Sequence, residues 1–169
     1  LCTLPTEPLP EALPGSRYLV LDGLQDPGNV GTLWRTADAF GAACAFLMVG
    51  GTTSSVQSMV LAVCKKGDKI ILPRNVHRSV INALVLCGAT PIYVNPDMDS
   101  RLGIALGMRL SQVERTVSEH PDAVAVLVNN PTYYGICSDL KRIVELAHGH
   151  GMRVLADEAH GTHFYFGEN

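Results

Sequence analysis

No C-x-x-C pair occurs in the 169 residues, and no apolar run approaches the roughly 18 residues that a membrane-spanning helix needs. The five cysteines, Cys2, Cys44, Cys64, Cys87 and Cys137, are odd in number, widely spaced and set mostly in apolar runs. That usage suits buried thiols in a reducing compartment, so a cytoplasmic protein with no membrane association is expected. Basic charge is not in excess. A formal net charge of -3 offers no electrostatic footprint for nucleic acid. The chain starts at Leu1 rather than Met and carries no charged-then-apolar leader, which reads as a fragment or a processed product. Internal repeats are absent, and low complexity is confined to a proline-rich arm over 1–16. What is present is ordinary: 47% hydrophobic and 17% charged residues, enough for one globular core.

From Arg17 onward the apolar pattern alternates between short runs and helical stretches. Strands are predicted near 18–21, 45–49, 69–72, 90–94, 123–128 and 153–156. Helices are predicted over 30–40, 54–64, 76–86, 111–119 and 138–149, with a turn at 26–29 and a loop around 97–107. The strands are nearly continuous in Val, Leu, Ile and Ala, which marks a sheet covered by helices on both faces. The predicted class is α/β: three αβα layers around a mostly parallel sheet.

In such a sheet, ligands bind beyond the carboxyl ends of the strands. Four segments fall there. Gly50-Gly51-Thr52-Thr53-Ser54-Ser55 joins a strand to a helix start, where glycines allow close approach and hydroxyls with free N–H groups suit a phosphate, although Thr and Ser also serve as plain helix caps. His77, in Arg74-Asn75-Val76-His77-Arg78-Ser79, offers a flat imidazole that could stack on a planar ring, or one that merely caps a helix. Asn129-Asn130-Pro131-Thr132-Tyr133-Tyr134-Gly135 has the chemistry of a rigid turn. In Asp157-Glu158-Ala159-His160-Gly161 an apolar strand ends in a carboxylate, which is costly to desolvate unless it meets a cation such as a protonated heterocyclic nitrogen. A phosphate cradle, an imidazole and this carboxylate in one crevice describe a pyridoxal phosphate site.

These motifs, together with Phe46-Leu47-Met48-Val49 and Gly67-Asp68-Lys69-Ile70-Ile71-Leu72-Pro73, resemble the large domain of the Orn/Lys/Arg decarboxylases, a fold-type-I pyridoxal phosphate family, from about Gly41 to Asn169. The resemblance implies an incomplete aminotransferase-like large domain and loss of the α-carboxylate from lysine, ornithine or arginine. It also implies a homodimer in the intact enzyme. Thr52, Thr53 and Ser54 would hold the cofactor phosphate, His77 would stack on the ring, and Asp157 would hold its nitrogen. Ala159 would pack the opposite face, and His160 would lie near the ring and the substrate carboxylate. The catalytic set it implies is His77, Asp157 and His160. Two departures stand out. Gly50 replaces an expected Asn, and the family's Schiff-base lysine belongs to a Ser-x-His-Lys segment past Asp157 that these residues do not contain. The lysines present, Lys65, Lys66, Lys69 and Lys141, are expected far from the carboxyl edge, so the chain is expected to be inactive alone.

Residues 18–42, from Tyr18-Leu19-Val20-Leu21-Asp22-Gly23 through Asp26-Pro27-Gly28-Asn29 to Phe40-Gly41-Ala42, resemble instead the first motif of the SpoU-type RNA ribose methyltransferases. That likeness implies Asn29 and Arg35 at a catalytic centre and S-adenosylmethionine as an alternative cofactor, but the family's later motifs are missing. A junction near 40–42 is expected, giving an arm over 1–16, a methyltransferase-like strand and helix over 17–42, and a partial decarboxylase domain over 43–169. A methyltransferase relic and a non-catalytic globular remnant are the rival readings. Asp157, His160 and His163 lack the spacing of a helical H-E-x-x-H site, and no metal is expected.

Overall fold

A computed structural model describes the backbone of residues 17–22 and 42–48, and residues 51–161 and 164 with their side chains. The turn at 26–29, the helix over 30–40, Asn29, Arg35 and His163 lie outside the described residues. The chain divides into two compact units, Leu1–Thr52 and Thr53–Asn169. In the first, β1 (Arg17–Asp22) pairs in parallel with β2 (Ala42–Met48), in a register that runs from Tyr18 opposite Cys44 to Asp22 opposite Met48.

The second unit is built on β3 (Lys69–Pro73), β4 (Thr90–Val94), β7 (Ala123–Asn129) and β8 (Arg153–Asp157). They form one parallel sheet in the order β4-β3-β7-β8. Around it stand α1 (Thr52–Val63), α2 (Arg78–Cys87), α3 (Leu110–Glu119) and α4 (Leu140–Gly149). Side chains alternate across a strand, so Ile70 and Leu72 of β3 face one way and Ile71 the other. On the first face Ile70, Leu72, Ala125, Leu127 and Leu155 pack with Val56, Val60 and Cys64 at α1 and with Val80, Ala83 and Leu84 of α2. On the second, Ile71, Val126 and Val128 pack with Val113 and Val117 of α3 and with Ile143 and Ala147 of α4. Ala123 joins this second cluster although its number is odd like those of Ala125 and Leu127. The register slips there, Lys69 pairing with Ala123 and Ile70 with Ala125, and the extra residue resets the alternation. The three-layer αβα expectation is thereby met.

Helix starts differ from the sequence pattern by about two residues, and capping explains two of them. Asp139 accepts the Arg142 N–H and His77 accepts the Ser79 N–H, so α4 and α2 begin just after them. Within the expected loop over 97–107, β5 (Met98–Asp99) and β6 (Ile104–Ala105) make a short antiparallel hairpin. Its turn is closed by Asp99 Oδ1, which accepts the N–H groups of Arg101 and Leu102. Lys65, Lys66 and Lys69 stand at the amino edge of the sheet as expected, Lys69 paired with Asp122 at 2.7 Å. Lys141 corrects the expectation: it occupies the first turn of α4, and a helix that follows β7 starts at the carboxyl-edge end of its layer, so Lys141 is exposed on that side rather than far from it. Among the described residues no helix is long and apolar enough to cross a membrane.

Burial, with Cys87 and Asp68 nearby, pushes the Cys64 thiol up to about 11. A thiol that ionises later in the folded chain than in the unfolded one favours the fold below pH 9, and that contribution disappears as pH rises from 9 to about 11. Peptide mapping after brief alkylation at pH 8 is expected to find Cys137, which is exposed, modified well before Cys64.

Candidate functional site

Four loops leave the carboxyl edge of the four-stranded sheet, and the two that follow β7 and β8 are sewn together. The Asn130 N–H donates to the Asp157 carbonyl at 2.9 Å, while Asn130 Oδ1 accepts the Ser138 N–H at 2.8 Å. Asn130 is buried, the peptide that joins it to Pro131 is cis, and Thr132 beyond it is buried as well. The turn over 132–136 closes on itself: Thr132 N–H donates to the Ile136 carbonyl, Gly135 N–H to the Thr132 carbonyl, and Ile136 N–H to Thr132 Oγ1. This framework presents Tyr133, which is 76% exposed. Its ring meets that of His160 edge to face, with centroids 5.3 Å apart and planes at 86°.

Asp157 ends β8 and is only 5% exposed. Oδ1 accepts the Ala159 N–H at 3.1 Å, and among the described residues no Lys, Arg or His forms a salt bridge with the carboxylate. A nearly buried carboxylate held by one N–H and without a counter-ion among the described residues is suited to pairing with a cation. Behind it Gly161 lies so close to the neighbouring loop that an added Cβ would sit 2.8 Å from Pro131 Cδ. Only the absence of a side chain allows that approach.

His77, at the exit of β3, is exposed and caps α2. Nδ1 accepts the Ser79 N–H at 3.2 Å and lies 2.9 Å from Ser79 Oγ, so the neutral ring carries its proton on Nε2. The capping role weighed in the sequence is thus real, and it holds the imidazole by one edge. A His77→Asn variant retains a capping acceptor and His77→Ala does not. The alanine form is expected to unfold about 1 kcal/mol more easily than the asparagine form in urea titrations.

At the start of α1, Gly51 adopts a left-handed φ of 79°, which brings Thr52 and Thr53 into the first helical turn. Both are exposed and Ser54 is half-buried. Ser55 Oγ is shielded from solvent and has no hydrogen-bond partner among the described residues. The structure thus gathers Asp157, Ala159 and His160 with the 130–136 turn, and sets His77 on the same sheet edge two strands away. Sequence reasoning gave no role to Asn130 or Tyr133. Asn-Pro registers only as a turn, and nothing local shows that the Asn130 amide spans to β8. No group of three or more His, Cys, Asp and Glu among the described residues could hold a metal.

The architecture belongs to the fold-type-I class. N-succinyldiaminopimelate aminotransferase from Mycobacterium tuberculosis superimposes with a TM-score of 0.53 over 64% of this chain and 28% of that one, at 24% identity. Residues 32–169 match the Orn/Lys/Arg decarboxylase major domain, and the chain belongs to that family. The arginine decarboxylase of Bacillus subtilis (strain 168) is 53% identical over 130 residues, covering 77% of this chain and 26% of the relative. That of Halalkalibacterium halodurans is 48% identical over 132 residues, 78% of this chain and 27% of the relative. The chain therefore spans about a quarter of the length of these relatives. The family match begins at residue 32, inside the stretch that resembles the methyltransferase motif.

Proposed function

We propose that this chain carries a cofactor-holding part of a pyridoxal phosphate-dependent decarboxylase of basic amino acids, with arginine the first substrate to try, given the names of its relatives. The observation that carries the reading is Asp157: a carboxylate 5% exposed, fixed by one backbone N–H and lacking a cation among the described residues. A protonated pyridine nitrogen is a cation of the right size and hydrogen-bonding capacity. The donor set at α1 fits the other end of the cofactor, since Thr52, Thr53 and Ser54 surround a helix N-terminus and Ser55 Oγ has no hydrogen-bond partner among the described residues.

When bound, pyridoxal phosphate supplies an electron sink for the pair left behind as the α-carboxylate departs as carbon dioxide. The residues of the chain do the holding. Asp157 would keep the ring nitrogen protonated, His77 and Ala159 would pack against the ring, and His160 would stand toward the substrate carboxylate. Lys65, Lys66 and Lys69 stand at the amino edge, and Lys141, although on the carboxyl-edge side, lies on the exposed first turn of α4 rather than in the loop that carries Asp157, so the chain alone is expected to hold the cofactor by non-covalent contacts and not to decarboxylate. In the intact enzyme the site belongs to a homodimer in the cytoplasm. Equilibrium dialysis of the chain against millimolar pyridoxal phosphate tests the reading. Saturable binding that Asp157→Ala removes supports it, and no binding, or binding indifferent to that change, overturns it.

A further inference from the structure

On the far side of β3 from Asp157, the carboxyl edge holds a second polar feature that the reading above does not use. The Arg74 N–H donates to the Val94 carbonyl at 3.1 Å, which ties the exits of β3 and β4. The Arg74 guanidinium then folds over the Tyr93 ring, with Cζ 4.6 Å from the centroid, and Nε donates to Asn95 Oδ1 at 3.1 Å. A surface arginine has many rotamers open to it, and contacts with an aromatic face and an amide favour this one. What the arrangement leaves over is the outer edge of the fork, the two Nη groups.

Nothing among the described residues neutralises that fork. Arg74 takes part in none of the ion pairs, and Asp97, the carboxylate nearest in sequence beyond β4, is taken by Arg109, whose Nε lies 2.7 Å from Asp97 Oδ2. Residues 73–79 contain two arginines and no acid. An immobilised, uncompensated guanidinium presents two parallel N–H donors at the spacing of two oxygens on a carboxylate or phosphate. We infer that Arg74, oriented by Tyr93 and Asn95, is an oxyanion-binding site that receives a two-oxygen face at the β3–β4 exit. Pre-organisation is its distinguishing property: the cost of ordering the side chain is met before the ligand arrives.

The test uses the whole chain with arginine labelled in its guanidinium nitrogens, titrated with inorganic phosphate and, separately, with acetate while the Arg74 signals are followed by NMR. Saturable shifts of Arg74 are expected, and the tighter of the two probes identifies the kind of oxyanion. Arg74→Lys, which retains the charge and loses the fork, is expected to bind about tenfold more weakly, read from amide shifts of Asn95 and Asn75. Tyr93→Phe retains the stacking face and binds as the parent does, whereas Tyr93→Leu loses about threefold. Arg153→Lys, an exposed arginine at the opposite edge of the sheet, changes nothing at Asn95. Absence of Arg74 shifts with both probes overturns the inference, and so does equal affinity in the Arg74→Lys or Tyr93→Leu forms. Asp157→Asn is expected to leave the titration unaltered, so the outcome here is independent of whether pyridoxal phosphate binds.

Discussion

Replacing Asp157 by Asn is expected to act with opposite signs on the two forms of the protein. The cofactor-free chain becomes more stable by about 1 kcal/mol, because a nearly buried carboxylate with no described counter-ion gives way to a neutral group of the same shape. Oδ1 of the new residue still accepts the Ala159 N–H, so the local turn survives. Affinity for pyridoxal phosphate falls at least about 30-fold, since removing one partner of a desolvated charge pair costs 2 kcal/mol or more. Urea unfolding with and without cofactor measures both effects on one sample. A purely structural carboxylate would give a different pattern: loss of stability in the free chain and no change in cofactor affinity.

The second large effect concerns Gly161. Its added methyl would meet Pro131 Cδ at 2.8 Å and Phe164 Cδ2 at 3.3 Å. The proline ring cannot rotate away as a long side chain could, and its neighbour Asn130 is pinned by hydrogen bonds to Ser138 and Asp157. Gly161→Ala is therefore expected to cost about 2 kcal/mol of stability, within the range of overpacked sites. Gly149→Ala is the contrasting control. Its Cβ would meet nothing within 4 Å at the end of α4, and alanine there is expected to be neutral or stabilising by up to about 1 kcal/mol. Equal losses at both positions would mean that the close approach to Pro131 has no special weight.

The sheet was legible in the sequence because burial on both faces leaves an unbroken apolar signature: Lys69–Pro73 and Ala123–Asn129 read as strands without help from their neighbours. Chain punctuation then ordered them, and the carboxyl edge followed from the parallel arrangement alone. Helix starts were less legible. Their position depends on which side chain turns back to accept an N–H, and at His77 the capping residue was also a candidate for ring stacking. The β5–β6 hairpin escaped because two-residue strands have no period to detect. Lys141 was misplaced because a helix assigned to the outside of a layer still begins at one definite edge of it. Arg74 stood in a motif read for its histidine, and its partners Tyr93 and Asn95 lie about twenty residues later, brought beside it only by the pairing of β3 with β4.

Asn130 binds three stretches of chain through one amide and one N–H: the end of β7, the end of β8 and the approach to α4. The loops that carry Tyr133 and Asp157 are consequently expected to unfold together, because freeing either one exposes donors and acceptors that belong to the other. Mutational effects in the two loops should then fail to add, and whatever fixes the carboxylate at the end of β8 also sets how tightly the tyrosine turn is held.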